Sequence, residues 1–147
     1  MPPALEPAAH GPVTVFIDGA SSGNPGPSGI GAVFTDAGGR TIARVQRSLG
    51  HTTNNVAEYL ALIYALQEAL ARRVEIVQVR TDSELLVRQL AGRYQVRDGT
   101  LRLLHELAGS LRDRFQRCTI EHVGREFNTD ADRLAKQAAA SFAHTRS

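Results

Sequence analysis

The order of the apolar segments constrains the fold of this chain more than any other feature of its sequence. Strand-like segments come first, and helical and strand-like segments alternate after them. The predicted strands are 13–17, 29–35, 41–49, 74–80 and 118–123, and the predicted helices are 56–72, 83–90, 101–115 and 130–143. This order, βββ-α-β-α-α-β-α, predicts an α/β fold with a mixed five-stranded sheet. Its first three strands are antiparallel, and helices cover both of its faces.

Turn residues mark the boundaries between these segments. Residues 21–28 (SSGNPGPS) are turn formers and predict a loop, and residues 36–40 (DAGGR) predict a hairpin. The first strand is expected to end at Asp18, where Asp-Gly begins a turn. The candidate caps of the first helix are Thr53, Asn54 and Asn55.

The length and composition predict one domain. A chain of 147 residues with 42% hydrophobic residues can bury its own core. We expect the domain at 13–143, a disordered N-terminal tail at 1–12 and a C-terminal tail at 144–147. No apolar run approaches the roughly 18 residues of a membrane span, and the N-terminus does not read as a signal peptide. Cys118 is the only cysteine, which excludes an intrachain disulfide and suits a cytoplasmic location.

The charge is a weak indication of an anionic partner. The formal net charge is +2, and Lys136 is the only lysine among the basic residues. Arginine suits phosphate recognition better than lysine does. A codon-usage bias explains the same composition, so the charge does not decide between functions.

Four acidic residues carry the main functional signal, although each has an ordinary structural explanation. Asp18 lies in an Asp-Gly turn, and Asp82 precedes a helix as an N-cap candidate. Glu58 and Asp132 each stand three residues after a cap candidate, which is the spacing of a capping box. However, Glu58 is the only charge in the apolar run 56–66, where an ionised carboxylate requires a cation or hydrogen-bond donors. A functional role is therefore favoured for Glu58 over a purely structural one.

The predicted topology would bring the four acids together. If the first and fourth strands are adjacent and parallel, Asp18 and Asp82 lie side by side at their carboxyl ends, where α/β sheets collect ligands. Glu58 and Asp132 would reach the same place from helix N-termini. The sequence therefore predicts one cluster of carboxylates.

Such a cluster predicts metal chemistry. Several carboxylates share a small site only when cations or protons neutralise them. Oxygen ligands without a Cys/His cluster favour Mg²⁺ or Mn²⁺ over Zn²⁺. Two such ions about 3.5–4 Å apart can activate water and stabilise the leaving oxygen of a phosphodiester. The four acids therefore predict a metal-dependent nuclease.

The stretches around these acids resemble type 1 ribonuclease H (ribonuclease HI). The matching stretches are 17–20 (IDGA), 23–26 (GNPG), 53–58 (TNNVAE), 81–83 (TDS), 122–128 (HVGREFN) and 131–135 (ADRLA). The resemblance extends in order from about residue 13 to residue 143, and the four acids in these contexts are together a specific signal. It implies a ribonuclease H-like fold.

The resemblance also implies an activity, cofactors and a partner. Family members are endonucleases that cut the RNA strand of RNA/DNA hybrids and leave 3′-hydroxyl and 5′-phosphate ends. By resemblance, the catalytic residues that hold two Mg²⁺ or Mn²⁺ ions are Asp18, Glu58, Asp82 and Asp132. We expect a monomer that binds an RNA/DNA hybrid and no membrane.

The resemblance implies substrate contacts as well. The implied residues are Gly19, Ser21, Ser22, Asn24, Thr53, Asn54 and Asn55. Asn24 and Asn54 are placed to read ribose 2′-hydroxyls, which distinguish RNA from DNA. Thr53 and Asn54 are candidate contacts to phosphates of the DNA strand, because free N–H groups at a helix start attract phosphate.

The sequence departs from the best-known members in three ways. Those members carry a mobile histidine in the loop before the last aspartate. His122 stands ten residues before Asp132, which suits that role, but it lies in a predicted strand. Arg125 is the alternative that stands nearer the position of the histidine. The segment 91–99 is too short for a large basic protrusion. Glu84 stands where a neutral residue is common, either as a helix-start acid or as added charge near the metals. Residues near the segment 91–99 could contact nucleic acid, or they could form an ordinary solvated surface. They are Arg88, Arg93, Arg97, Arg102 and Tyr94.

Two other functions are alternatives to a hybrid-specific nuclease. The same fold hosts DNA-directed nucleases, so fold alone does not fix the substrate. The contexts of Asn24 and of residues 53–55 argue against that alternative. A hybrid-binding module without catalysis predicts the loss of at least one of the four acids, and all four are present.

Overall fold

The elements follow the predicted order. The structure, a computed structural model, describes residues 11–92 and 95–146. Within them the strands are β1 (Val13–Ser21), β2 (Gly26–Thr35), β3 (Thr41–Thr52), β4 (Ile76–Thr81) and β5 (Arg117–His122). The α-helices are α1 (Asn54–Ala71), α2 (Glu84–Leu90), α3 (Gly99–Arg112) and α4 (Thr129–Arg146), and a short 3-10 turn lies at Arg125–Phe127. The predicted tail up to residue 10, Arg93, Tyr94 and Ser147 lie outside the described residues.

The sheet is mixed, and its strand order is β3-β2-β1-β4-β5. The pairs β1–β2 and β2–β3 are antiparallel, whereas β1–β4 and β4–β5 are parallel. The predicted five-stranded mixed sheet with three antiparallel strands is therefore confirmed. The parallel pairing of β1 with β4 is the condition on which the predicted acid cluster depended.

Helices cover opposite faces of this sheet. A Cβ added to Gly19 would lie 2.3 Å from the carbonyl carbon of Ala57 in α1, and one added to Gly31 would lie 2.4 Å from the carbonyl oxygen of Ala131 in α4. Gly31 pairs with Asp18, the neighbour of Gly19 in β1. Because successive residues of a strand point to opposite faces, α1 and α4 lie on opposite sides of the sheet.

The larger core lies between the sheet and α1. Val15 and Ile17 of β1 are fully buried there, together with Leu62 and Leu66 of α1. The helix is apolar on nearly every side, which is typical of a helix buried on all sides. The helix α3 packs against α1 and covers it. No helix within the described ranges is long and apolar enough to cross a membrane.

The prediction that the first strand ends at Asp18 is wrong. β1 continues to Ser21, and Asp18 lies inside it, because the antiparallel pairing with β2 extends to Ser21 and Ser28. Ladder hydrogen bonds here override the weak strand preference of glycine and serine. The predicted loop is correspondingly short, since β2 begins at Gly26.

The capping explanations of the other acids are also wrong. The N-cap of α1 is Thr53, whose hydroxyl accepts a hydrogen bond from the Val56 N–H, so Glu58 lies in the second turn rather than the first. The N-cap of α2 is Ser83, not Asp82. Thr129 is already helical, which excludes a capping box between it and Asp132. Glu58, Asp82 and Asp132 therefore do not cap their helices, which is the structural role that the sequence left open for them.

Candidate active site

Asp18 and Asp82 are brought together by the register of two parallel strands. Ile17 of β1 pairs with Thr81 of β4. Asp18 follows Ile17 within β1, and Asp82 follows Thr81 directly after the end of β4. Asp18 is buried with 5% of its surface exposed. The predicted side-by-side arrangement of Asp18 and Asp82 is confirmed, although only Asp82 follows the end of its strand, because β1 continues to Ser21.

Glu58 enters the same place from α1. Its side chain is buried, and its Oε1 accepts a 3.0 Å hydrogen bond from the backbone N–H of Gly19. Its Oε2 is buried and receives no hydrogen bond from any amide, hydroxyl or basic group of the described chain. A buried carboxylate oxygen in that state is costly unless a cation binds it or a proton shared with Asp18, to which Glu58 is hydrogen-bonded, neutralises the pair.

Asp18, Glu58 and Asp82 form a set that can hold a metal ion. One carboxylate oxygen from each lies within 4.8 Å of those from the other two. All donors are oxygen, which suits a hard divalent cation such as Mg²⁺ or Mn²⁺. The buried Oε2 of Glu58, which has no amide, hydroxyl or basic partner in the described part of the chain, and this donor set together fit a bound divalent cation.

Asp132 lies beside this set rather than within it. It is the fourth residue of α4, its side chain is 38% exposed, and its Oδ2 lies 3.0 Å from Nζ of Lys136. It also shares a hydrogen bond with Asp18. The structure therefore brings all four predicted acids to one place, with three in a buried group and the fourth at its solvent edge.

The crowding of carboxylates perturbs their protonation. Burial raises the pKa of Asp18 to about 10, and the charges of Glu58 and Asp82 act in the same direction. Burial raises the pKa of Glu58 to about 7 against the hydrogen bond from Gly19. Without a cation, the cluster therefore retains protons at neutral pH.

Asp132 shows the opposite behaviour. Burial acts to raise its pKa, but hydrogen bonds with Asp18 and Lys136 outweigh burial and lower it. The charge of Arg125 contributes to the lowering. Asp132 thus stays ionised at the edge of a group that otherwise resists ionisation.

The acids line an open cleft of about 540 Å³. Of the predicted substrate contacts, Gly19, Ser21 and Asn54 line it as well. Other cleft residues that the sequence reading missed are Ala20, Ser83, Glu126, Thr129 and Lys136. Among these, Lys136 carried a detectable signal, because it stands four residues after Asp132 on the same helix face.

The remaining predicted substrate contacts surround the cleft without lining it. The side-chain oxygen of Asn24 accepts a 3.1 Å hydrogen bond from the N–H of Asn54, so the loop before β2 is tied to the start of α1. Thr53 caps α1, and Ser22 and Asn55 are exposed. The hydroxyl of Ser21 donates to the carbonyl of Gly23 and, at 3.2 Å, to that of Thr52, which fixes the loop to the end of β3. These bonds tie the loop before β2, the end of β3 and the start of α1 together, and Ser21 and Asn54 are the residues of this rim that line the cleft.

The three auxiliary candidates differ in whether they line the cleft. Arg125 lines it. His122 is the exposed last residue of β5 and is absent from the lining of the cleft. Glu84 is the first residue of α2, where it lies 3.6 Å from Arg88, and it does not line the cleft either. Of the three, the geometry brings only Arg125 to the acids.

Comparison with known proteins finds relatives that align with most of this chain. A family model described as "Reverse transcriptase-like" matches residues 16–138. The ribonuclease HI of Halobacterium salinarum is 39% identical over 134 residues, which are 91% of this chain and 67% of that protein. The crystal structure of ribonuclease H1 from this archaeon is similar with a TM-score of 0.87, covering 89% of this chain and 99% of that one at 39% identity.

Two further relatives have the same fold. The bifunctional protein Rv2228c of Mycobacterium tuberculosis is 42% identical over 86% of this chain, which spans 35% of that protein's length. The structure of its N-terminal ribonuclease H domain is 39% identical with a TM-score of 0.89, covering 92% of this chain and 99% of that one. LC11-RNase H1, solved in complex with an RNA/DNA hybrid, is 39% identical with a TM-score of 0.82, covering 88% of this chain and 97% of that one. With the family model matching most of its length and a ribonuclease HI aligned over 91% of it, the chain belongs to the type 1 ribonuclease H family of enzymes.

Proposed function

We propose that this chain is an endonuclease that hydrolyses the RNA strand of RNA/DNA hybrids with two divalent cations, Mg²⁺ or Mn²⁺, and leaves 3′-hydroxyl and 5′-phosphate ends. Asp18, Glu58, Asp82 and Asp132 would hold the cations. Because the chain spans about a third of the mycobacterial relative, the proposal concerns the activity of this domain.

One observation carries the proposal. Three carboxylate oxygens lie within 4.8 Å of one another, and the buried Oε2 of Glu58 beside them receives no hydrogen bond from an amide, hydroxyl or basic group within the described residues. Carboxylates packed in this way are unstable as bare anions, so their arrangement is suited to cations. A module that only binds nucleic acid has no need of such a set.

The chain's own residues would prepare the reaction around the cations. When bound, the ions would supply an activated water and stabilise the leaving oxygen. The N–H of Gly19 orients the Glu58 carboxylate through its 3.0 Å hydrogen bond. Lys136, 3.0 Å from Asp132, and Arg125 place positive charge on the cleft wall, where it would attract the phosphate backbone.

The specificity for RNA would arise at the rim of the cleft. The bond from the N–H of Asn54 to the side-chain oxygen of Asn24 ties the loop before β2 to the start of α1, and Asn54 lines the cleft. Amide groups can both donate to and accept from a ribose 2′-hydroxyl, which DNA lacks. The hybrid bound in the structure of LC11-RNase H1, a relative of similar fold, supports the same substrate class for this chain. A DNA-directed nuclease with the same metal chemistry is the alternative that the test must separate.

We also expect a monomer in the cytoplasm. Cys118 is a half-buried free thiol, and the other residues of the sequence include no second cysteine. A reducing compartment is compatible with that state. Size-exclusion chromatography with light scattering would measure the assembly state directly.

The decisive experiment is cleavage of strand-labelled RNA/DNA hybrid, RNA duplex and DNA duplex with Mg²⁺ or Mn²⁺. Asp82→Asn would be compared with Glu75→Gln, a control for an exposed acid before β4, at the end of that strand remote from the cleft. We expect the hybrid RNA alone to be cut, with the stated product ends, by the wild type and by Glu75→Gln. Cleavage of DNA would refute the substrate assignment, and binding of hybrid without metal-dependent cleavage would favour a non-catalytic module.

A further inference from the structure

Asn128 is a buried polar residue whose hydrogen bonds connect segments of the chain that carry the acids. It stands between the 3-10 turn and the first residue of α4, and 1% of its surface is exposed. Polar side chains rarely occupy such positions unless their hydrogen bonds are used. The hydrogen bonds of the Asn128 side chain therefore indicate its role.

The side chain of Asn128 is bonded to the strand that carries Asp18. Its Nδ2 donates a 2.9 Å hydrogen bond to the carbonyl oxygen of Ile17, a residue 111 positions away in sequence. Ile17 is the last residue of β1 that pairs with β4, and Asp18 follows it. The amide thus holds the backbone one residue before the buried aspartate.

The main chain of Asn128 is bonded to the backbone of Asp132 and of Arg125. Its carbonyl oxygen accepts a 3.1 Å hydrogen bond from the N–H of Asp132, and its N–H donates a 2.9 Å hydrogen bond to the carbonyl oxygen of Arg125. One buried residue therefore joins the backbone before Asp18, the backbone of Asp132 and the turn that carries Arg125.

The other atom of the same amide is not satisfied. The Oδ1 of Asn128 is buried and lacks a hydrogen-bond partner among the residues that the structure describes. Leucine has nearly the same shape and would leave no such oxygen. The value of asparagine at this place therefore lies in its Nδ2 donor.

We propose that Asn128 is a positioning residue that sets the spacing between Asp18 and Asp132, and through it the affinity of the site for divalent cations. The inference rests on the proposed function, because it concerns the same cation site. Residues behind metal ligands act in this way when they fix the orientation of the ligands.

The test compares Asn128→Leu and Asn128→Ala with Val13→Ala. Val13 is fully buried at the start of β1, remote from the acids, and its truncation destabilises the same strand without touching the site. Two experiments are made well below the melting temperatures. Electron paramagnetic resonance measures the binding of Mn²⁺ to the free protein, and steady-state kinetics measure kcat and KM on RNA/DNA hybrid. We expect Asn128→Leu to weaken Mn²⁺ binding and to lower kcat by about 10–100-fold each. KM should stay within about twofold, because the rim that binds the hybrid is unchanged. Val13→Ala should leave Mn²⁺ binding, kcat and KM unchanged.

The other outcomes overturn either the role of Asn128 or the proposed function. A folded Asn128→Leu with wild-type Mn²⁺ binding and kcat would overturn it, and so would an equal loss in Val13→Ala. If neither Asn128 variant folds, Asn128 serves stability and the positioning role is wrong. If the wild type cuts no hybrid, the proposed function fails, while the comparison of Mn²⁺ affinities still decides the role of Asn128.

Discussion

The backbone N–H of Gly19 donates a 3.0 Å hydrogen bond to Oε1 of Glu58. This bond is possible because β1 and α1 approach so closely that a Cβ on Gly19 would lie 2.3 Å from the carbonyl carbon of Ala57 and 2.5 Å from the backbone nitrogen of Glu58. Both are well inside any normal contact distance. The absence of a side chain at position 19 therefore determines how deeply the glutamate enters the cluster.

Gly19→Ala is expected to damage both stability and catalysis. The added methyl must push α1 away from β1, and overpacking of this kind costs about 1–3 kcal/mol in the free energy of unfolding. The melting temperature should fall by roughly 2–4 °C for each kcal/mol. The shift also moves Glu58, so kcat on hybrid should fall further than the loss of folded protein explains.

Gly109→Ala is the matched control. Gly109 lies inside α3, and a Cβ there would meet nothing within 4 Å. Alanine in a helix interior is favoured over glycine by up to about 1 kcal/mol, so this variant should be slightly more stable and fully active. Equal behaviour of the two alanine variants in thermal denaturation would contradict the close approach of β1 and α1.

The sequence was sufficient to predict the meeting of Asp18 and Asp82. The order of strands and helices requires β1 and β4 to be parallel if they are neighbours, and residues after parallel strands meet at one edge. It was not sufficient to place Glu58 in its turn. Three adjacent residues could cap α1, and only the observed bond from Val56 to Thr53 selects one of them. Cap choice depends on where the preceding strand ends, which is a tertiary property.

The role of Asn128 could not be predicted from the sequence for a related reason. Its partner, Ile17, is 111 residues away, and nothing in the local pattern distinguishes a helix-start asparagine from one that bonds to a strand. The extension of β1 to Ser21 was missed because pairing with β2 outweighs local preference. Long-range contacts therefore decide the parts of the site that periodicity leaves open.

The protonation of the acids predicts how stability depends on pH in the absence of divalent cations. In the folded chain the pKa values are about 10 for Asp18 and about 7 for Glu58, against ordinary values of 3.8 and 4.5. The folded state therefore holds protons that the unfolded state has released. By linkage, this contribution to stability is complete below about pH 4 and is lost progressively as the pH rises toward 10.

Asp18→Asn should remove most of this dependence. In EDTA, we expect the variant to melt higher than the wild type at pH 8, by roughly 2–8 °C, because a crowded buried acid has been replaced by a neutral amide. The difference should shrink toward pH 5. Thermal denaturation from pH 5 to pH 9, with and without Mg²⁺, measures this; a wild-type protein that gains stability over that range in EDTA, relative to Asp18→Asn, would contradict the prediction.

The four acids should differ in how much their loss costs. Asp18→Asn, Glu58→Gln and Asp82→Asn each remove a member of the group within 4.8 Å, and each should lower kcat/KM on hybrid by about 1000-fold or more. Asp132 lies at the edge, with a 38% exposed side chain paired to Lys136. Asp132→Asn should therefore cost less, about 10–100-fold. Single-turnover kinetics at saturating Mn²⁺ would rank the four variants. An Asp132→Asn variant as inactive as the other three would contradict the prediction, because it would show that Asp132 matters as much as the buried acids.

Arg125 and His122 should have unequal effects on catalysis. Arg125 lines the cleft, and its charge helps to lower the pKa of Asp132, whereas His122 is exposed at the end of β5. Arg125→Ala should lower kcat/KM on hybrid by about 10–100-fold, with part of the loss restored by Arg125→Lys, since lysine keeps the charge without the planar fork. His122→Ala should stay within about twofold of wild type, because surface substitutions away from a site have small effects. Steady-state kinetics on one labelled hybrid compares all three variants. A loss in His122→Ala as large as that in Arg125→Ala would mean that the end of β5 moves into the cleft when the hybrid binds, and that a histidine step operates here after all.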